Sequence, residues 1–160
     1  MAPCCSSRST SIERGRLCAA ALCLAAAPLH AQTLSNSSAL SFGSFTASGG
    51  GTITVNAGGG RSKTGSVVLS NQGAPASPAQ FTVTGTNGAT FTATLPANGT
   101  VLLSDGTHTM SVDIFTISPA LQNTLSGGSL MIGIGATLTV NSAQAPGNYT
   151  GSFNLTVDYP

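Results

Sequence analysis

The chain has 160 residues, of which only 6% are charged, and its formal net charge is +1. Such sparse charge excludes the basic surface that a nucleic-acid binder needs. It also leaves no basic patch that an anionic membrane surface could attract.

The first 31 residues predict a secretory signal peptide. Arg8, Arg14 and Arg16 form a positive start, an apolar run covers 17–28, and the segment ends at Ala31, which is the charged, apolar and small-residue order of such a signal. The apolar run has 12 residues, fewer than the roughly 20 that span a bilayer as a helix. The alternative to a signal peptide is that these residues form a buried N-terminal helix. The segment contains all four cysteines: Cys4, Cys5, Cys18 and Cys23.

We therefore predict cleavage after Ala31 and export to the periplasm, the cell surface or the extracellular space, with no integral membrane span. Residues 32–160 then form one domain, long enough to bury a core without disulfides or metal. Its only charged side chains are two basic and three acidic ones: Arg61, Lys63, Asp105, Asp113 and Asp158.

After residue 32 the apolar spacing is that of strands and not of helices. Thr, Val, Ile and Phe dominate runs that alternate with period two, and such residues favour a pleated backbone. About nine strands are expected, at 39–46, 52–56, 65–71, 79–86, 90–95, 100–103, 107–117, 129–140 and 149–159.

The connections support this interpretation. Asn87-Gly88, Asn98-Gly99 and Asp105-Gly106 lie between consecutive expected strands and predict tight hairpin turns, since these pairs accept positive φ. Many short strands with one apolar face each predict an all-β fold, namely an antiparallel β-sandwich of about nine strands. A closed barrel is the alternative, whereas short strands and few aromatics argue against a membrane barrel.

Residues that could carry chemistry are scarce and dispersed. Asp105 and His108 could belong to a Ser-His-Asp arrangement, but no serine sits in a strand-turn-helix elbow. Within residues 32–160, one histidine and three scattered aspartates make a weak metal site. The glycines at 58–60 before Arg61 lack the spacing of a phosphate-binding loop. We therefore predict no catalysis, no cofactor and no metal.

The C-terminal segment has the most specific pattern. Tyr159 is the penultimate residue, and Gly147 is fourteenth from the end. Small or apolar residues alternate without a break between them: Tyr149, Gly151, Phe153, Leu155, Val157 and Tyr159. This pattern resembles the C-terminal signature of bacterial chaperone–usher pilins, and in particular archaic pilins of the spore coat U type. The stretches 39–46, 135–140 and 147–159 also resemble an uncharacterised family of secreted bacterial β-domains.

The pilin resemblance implies an immunoglobulin-like sandwich that lacks one strand. A periplasmic chaperone lends the strand first, and a neighbouring like subunit replaces it later. It also implies the residues of the chaperone- and subunit-binding segment: Gly147, Tyr149, Phe153, Leu155, Val157 and Tyr159.

Two features depart from the pilin pattern. Residues 32–38, where a donor strand would lie, are polar apart from Leu34, and the exported chain has no cysteine. The sequence thus leaves two hypotheses open: a non-catalytic, pilin-like structural or adhesive subunit, and a self-contained secreted β-sandwich that binds a glycan or a matrix ligand.

Overall fold

The computed structural model describes residues 32–160, which form an all-β domain without an α-helix in that range. The signal-peptide prediction for residues 1–31 lies outside the described residues. Every strand pair in the described part of the chain is antiparallel.

Fourteen strands follow one another over residues 32–160, with a short 3₁₀ turn at Ser126–Gly128 before the thirteenth. They are β1 (Thr33–Ser38), β2 (Ser41–Phe42), β3 (Phe45–Thr46), β4 (Gly51–Val55), β5 (Arg61–Gly65), β6 (Val68–Leu69), β7 (Ala76–Ser77), β8 (Ala79–Thr84), β9 (Thr90–Thr94), β10 (Val101–Ser104), β11 (Thr109–Ser118), β12 (Gln122–Thr124), β13 (Ser129–Val140) and β14 (Thr156–Asp158).

A curled seven-stranded sheet is built around β13. Its main path runs β1-β8-β13-β11-β10, and β4 joins β13 with β5 on its far edge. The first half of β13 pairs with β8 and its second half with β4, while β11 covers the opposite edge. A register shift between Asp113 and Thr116 interrupts the β11 ladder, and such bulges increase the local twist.

The remaining strands form three small sheets. β12, β9 and β14 make a three-stranded sheet in that order, and β2 pairs with β7 as β3 does with β6.

Two apolar clusters share β13 as a common base because its alternate side chains point to the inner face. The second half of β13 contributes to cluster 1, whose buried members are Phe42, Ile53, Val55, Val67, Val101, Met110, Val112, Ala136, Leu138 and Val140. The first half contributes to cluster 2, whose buried members are Ala79, Phe81, Val83, Phe91, Ala93, Leu125, Ile132 and Ile134.

The all-β prediction is confirmed, but the strand boundaries need corrections. Expected strand 39–46 is broken at Gly43, which has φ +69°, into β2 and β3. The stretch expected as one strand at 65–71 contains only the last residue of β5, a turn and the two-residue strand β6. The strand expected at 149–159 is regular only over β14. The sequence did not predict β1, because hydroxyl side chains hide an edge strand that needs only main-chain hydrogen bonds. The expected count of nine strands therefore does not match the fourteen observed.

Two of the three expected hairpins are wrong. Asp105-Gly106 does join the paired strands β10 and β11. Asn87-Gly88 and Asn98-Gly99 instead connect strands of different sheets. All three glycines have positive φ, so the local turns form as expected, but the strands they join find partners elsewhere.

Candidate functional site

A groove with a volume of about 920 Å³ lies over cluster 1. Its floor is formed by Val101, Met110, Val112 and Leu138, and its two walls are the segments 39–47 and 144–153. None of the residues that line it is charged. The floor side chains are at most 6% exposed, so the walls lie close over them.

The first wall, 39–47, contains β2 and β3, and each of these strands has a ladder along one edge only. Arg61 braces this wall: its Nη2 donates to the Ser44 carbonyl oxygen at 2.8 Å and its Nη1 to that of Ser70 at 3.2 Å. Burial lowers the pKa of Arg61. The wall is thus attached to its own neighbours and not to the opposite wall.

The second wall, 144–153, is extended but mostly outside any ladder. Thr150 exchanges two main-chain hydrogen bonds with Ser104, at 2.8 and 3.0 Å, and no regular strand follows until β14. A Cβ at Gly151 would collide with the main-chain carbonyl oxygen of Leu102. This close approach explains why a glycine interrupts the apolar alternation at this position.

The turn that starts the second wall is held by local polar contacts. The Tyr149 hydroxyl accepts a hydrogen bond from Gln144 Nε2 at 2.8 Å and donates one to the Ala145 carbonyl oxygen at 2.9 Å. A Cβ at Gly147 would lie 3.0 Å from Asp105 Oδ2. The absence of a side chain at Gly147 therefore lets the wall pass the β10–β11 hairpin.

Asp105 and His108 close that hairpin. Asp105 Oδ1 accepts the N–H of His108 at 2.6 Å and of Thr107 at 2.8 Å, and Oδ2 lies 3.1 Å from the His108 ring. The hydrogen bonds from the backbone N–H groups of His108 and Thr107 hold the pKa of Asp105 well below its usual range. The carboxylate thus acts as a turn cap. Residues 32–160 contain no group of three or more His, Cys, Asp or Glu side chains placed to hold a metal ion.

The six residues predicted for the C-terminal binding segment divide into two sets. Gly147, Tyr149 and Phe153 line the groove. Leu155, Val157 and Tyr159 pack against cluster 2 instead.

Phe153 lies where the two sets meet. Its ring centroid is 6.2 Å from that of Phe81 and 5.4 Å from that of Phe115. The Tyr159 ring lies 6.1 Å from Phe91, and burial raises the pKa of Tyr159. Residues 155–159 therefore cover cluster 2, whereas residues 147–153 border the groove.

Sequence reasoning missed the groove floor and the first wall. The floor residues belong to strands that were expected, but alternation alone cannot distinguish a groove floor from an ordinary core. For segment 39–47 the broken alternation at Gly43-Ser44 was the available signal, because a continuous strand would have kept its period of two.

No helix in the described part of the chain is long and apolar enough to cross a membrane. A family model described as "Domain of unknown function (DUF4402)" matches residues 33–159. No curated protein and no solved structure matches the chain.

Proposed function

Since the chain belongs to the family described as "Domain of unknown function (DUF4402)", whose description leaves its role open, we propose that it is an exported, non-catalytic structural subunit. Its groove receives a β-strand with alternating apolar residues from an assembly partner, which is either a periplasmic chaperone or a neighbouring subunit. In this interpretation the fold is an immunoglobulin-like sandwich that is one strand short.

The groove between the two walls is the observation that carries this proposal. One wall lies on each side of an apolar floor, and neither wall has a ladder to the other. The first wall contains nine residues, 39–47, although Gly43 divides it into β2 and β3, so a strand of about this length would lie along it. A strand inserted there would pair with main-chain groups on both sides.

Strand insertion has a simple energetic basis. Main-chain hydrogen bonds would supply affinity, and alternate side chains would enter the apolar floor and set the register. Because the lining carries no charge, no ionised group loses its hydration when water leaves. The floor is nearly buried in the free chain, so the walls move apart as the strand enters.

Urea unfolding in the presence of a strand peptide tests the proposal. The probe is a synthetic nonapeptide in which valine alternates with threonine, and the control has the same composition with its valines adjacent. The alternating peptide should raise the unfolding midpoint, because a ligand at 100 times its Kd adds about 2.7 kcal/mol to the free energy of unfolding. An equal effect of both peptides, or of neither, contradicts the proposal.

Two neighbouring leucines provide a matched pair of variants. Leu103 lines the groove, whereas Leu102 is 52% exposed and does not; adjacent strand residues point to opposite faces. We expect Leu103→Gln to weaken peptide binding about tenfold, since removing one leucine from an apolar contact costs roughly 1.5 kcal/mol. Leu102→Gln should leave the affinity unchanged. Equal losses in the two variants would place the peptide outside the groove.

A second candidate function, a self-contained module that binds a glycan, is favoured by the surroundings of Arg61. A pocket of about 220 Å³ lies beside this side chain, lined also by Ser70, Asn71 and residues 73–76. Nε of Arg61 is buried and, within residues 32–160, has no hydrogen-bond partner, and the charge of this side chain has no carboxylate partner there. A carboxylate on an acidic glycan would supply the missing counter-charge.

Binding to an array of acidic and neutral glycans tests this candidate. Selective retention of acidic glycans that is lost in Arg61→Gln but kept in Lys63→Gln would support it, since Lys63 lies on the same strand. Indifference to glycan charge, or equal behaviour of the two variants, would rule it out.

A further inference from the structure

The N-terminal strand of the domain is already used within its own sheet. β1 pairs with β8 through five register positions, and Ser37 Oγ donates to the Gln80 carbonyl oxygen at 3.1 Å. If β1 left to fill a groove elsewhere, the outer edge of β8 would lose its partner, and an unpaired edge is prone to aggregation.

The chemistry of β1 also does not match the groove. A register shift between Asn36 and Ser38 interrupts the alternation of the strand. Leu34 and Asn36 lie opposite Val83 and Phe81, whereas Thr33, Ser35 and Ser38 lie opposite Thr84, Thr82 and Gln80. Either face would place hydroxyl or amide groups on the apolar floor. Burying such groups without partners costs free energy, so β1 suits the solvent-facing edge on which it lies.

The C-terminal end is occupied as well. Leu155, Val157 and Tyr159 pack against cluster 2, and β14 is paired with β9. Neither end of the described chain therefore offers a free strand with alternating apolar residues. The apolar run at 17–28 is continuous and not alternating, and it is predicted to be removed during export.

From these observations we infer that residues 32–160 accept a strand without donating one to copies of themselves, and that the strand that fills the groove belongs to a different polypeptide. The partner's strand is uncharged and about nine residues long, with an apolar side chain at every second position. This inference rests on the proposed function, because it specifies the occupant of the same groove. It places the protein in a mixed assembly and not in a polymer of identical subunits.

Direct binding of four labelled peptides to the purified protein tests this inference by fluorescence anisotropy. They are the alternating nonapeptide of valine and threonine, its isomer with adjacent valines, this chain's own residues 32–40, and its own residues 17–28. We expect saturable binding of the alternating peptide and at least tenfold weaker binding of the other three. Leu103→Gln should weaken the binding of the alternating peptide, which locates it in the groove.

The possible failures are distinguishable. If peptide 32–40 or peptide 17–28 binds as tightly as the alternating peptide, the chain can complete itself or its own copies, and the inference is overturned while the strand-acceptor function stands. If none of the four peptides binds, or if the isomer binds as well as the alternating peptide, the strand-acceptor function fails, and the inference fails with it.

Discussion

The two apolar clusters lie on the same strand, β13, but are covered in different ways. Cluster 2 lies beneath the three-stranded sheet β12-β9-β14, and Tyr159 packs on Phe91. Cluster 1 lies beneath two extended walls that have no ladder between them. The difference shows that one half of this core has a hydrogen-bonded sheet as its cover, whereas the other half is covered by two segments that are not hydrogen-bonded to each other as strands.

The largest expected effect comes from deleting residues 155–160. The deletion removes Leu155, Val157 and Tyr159, which are partly buried against cluster 2, and a fully buried apolar side chain contributes about 1.5–3 kcal/mol. It also removes the pairing of β14 with β9, so the total loss of about 4–5 kcal/mol approaches the whole stability of a marginal domain. Circular dichroism should therefore show an unfolded chain. A folded truncation product would mean that cluster 2 does not depend on its C-terminal cover. Because the deletion unfolds the domain, it cannot test partner capture, which requires substitutions in the groove.

Truncation of one large side chain in each cluster compares the two covers directly. Phe91→Ala should cost about 4 kcal/mol, because the closed cluster 2 cannot collapse around the cavity. Met110→Ala should cost only about 2 kcal/mol, since the walls of the groove can settle into the space. Urea unfolding measures both values. Equal costs would indicate that the cover of cluster 1 is as rigid as that of cluster 2.

A pair of glycines tests how tightly the second wall lies against β10. Gly151→Ala should cost about 2 kcal/mol, because the added Cβ meets the Leu102 carbonyl oxygen. Gly88→Ala is the control: Gly88 has φ +81°, and a Cβ added there would meet nothing within 4 Å, so only backbone strain of about 1 kcal/mol applies. A Gly151→Ala protein as stable as the wild type would mean that the wall already moves freely.

The smallest expected effect concerns the hairpin at the end of the groove. Backbone hydrogen bonds lower the folded-state pKa of Asp105, so the carboxylate stabilises the fold above its ordinary pKa of about 3.9. This contribution is lost as the pH falls through the lower, folded-state value. Asp105→Asn should therefore reduce the urea midpoint at pH 7, and the difference from wild type should narrow only below about pH 4. A difference that is absent at pH 7 would contradict the turn-cap role of Asp105.

Much of the local structure could be predicted from the residues themselves. The alternation at 129–140 predicts β13 with its correct bounds, and the strands at 79–86 and 90–95 are found within two residues of their expected ends. Because these strands bury one face, apolar residues stand at every second position, and this alternation is visible in the sequence. β1 escaped detection because its side chains, apart from that of Leu34, are polar, and nearly all of them are exposed.

The candidate site was predictable only in part. Gly147, Tyr149 and Phe153 were found from the C-terminal pattern, and they do line the groove. Leu155, Val157 and Tyr159 belong to the same alternation, but they pack on cluster 2 because the chain passes from one cluster to the other near Phe153. An alternating pattern reports which side chains are inward, and it contains no information on what they face.

By itself, the sequence determined the all-β class, the strand-forming stretches and the positive-φ turns at Gly88, Gly99 and Gly106. Only the tertiary structure decided which turns are hairpins, which sheet each strand enters, and which part of the core is covered by segments without a ladder between them. The physical reason is range: alternation and turn chemistry act between neighbours in the chain. Ladder partners such as β1 with β8, by contrast, lie more than 40 residues apart and are selected by the burial of the whole sheet.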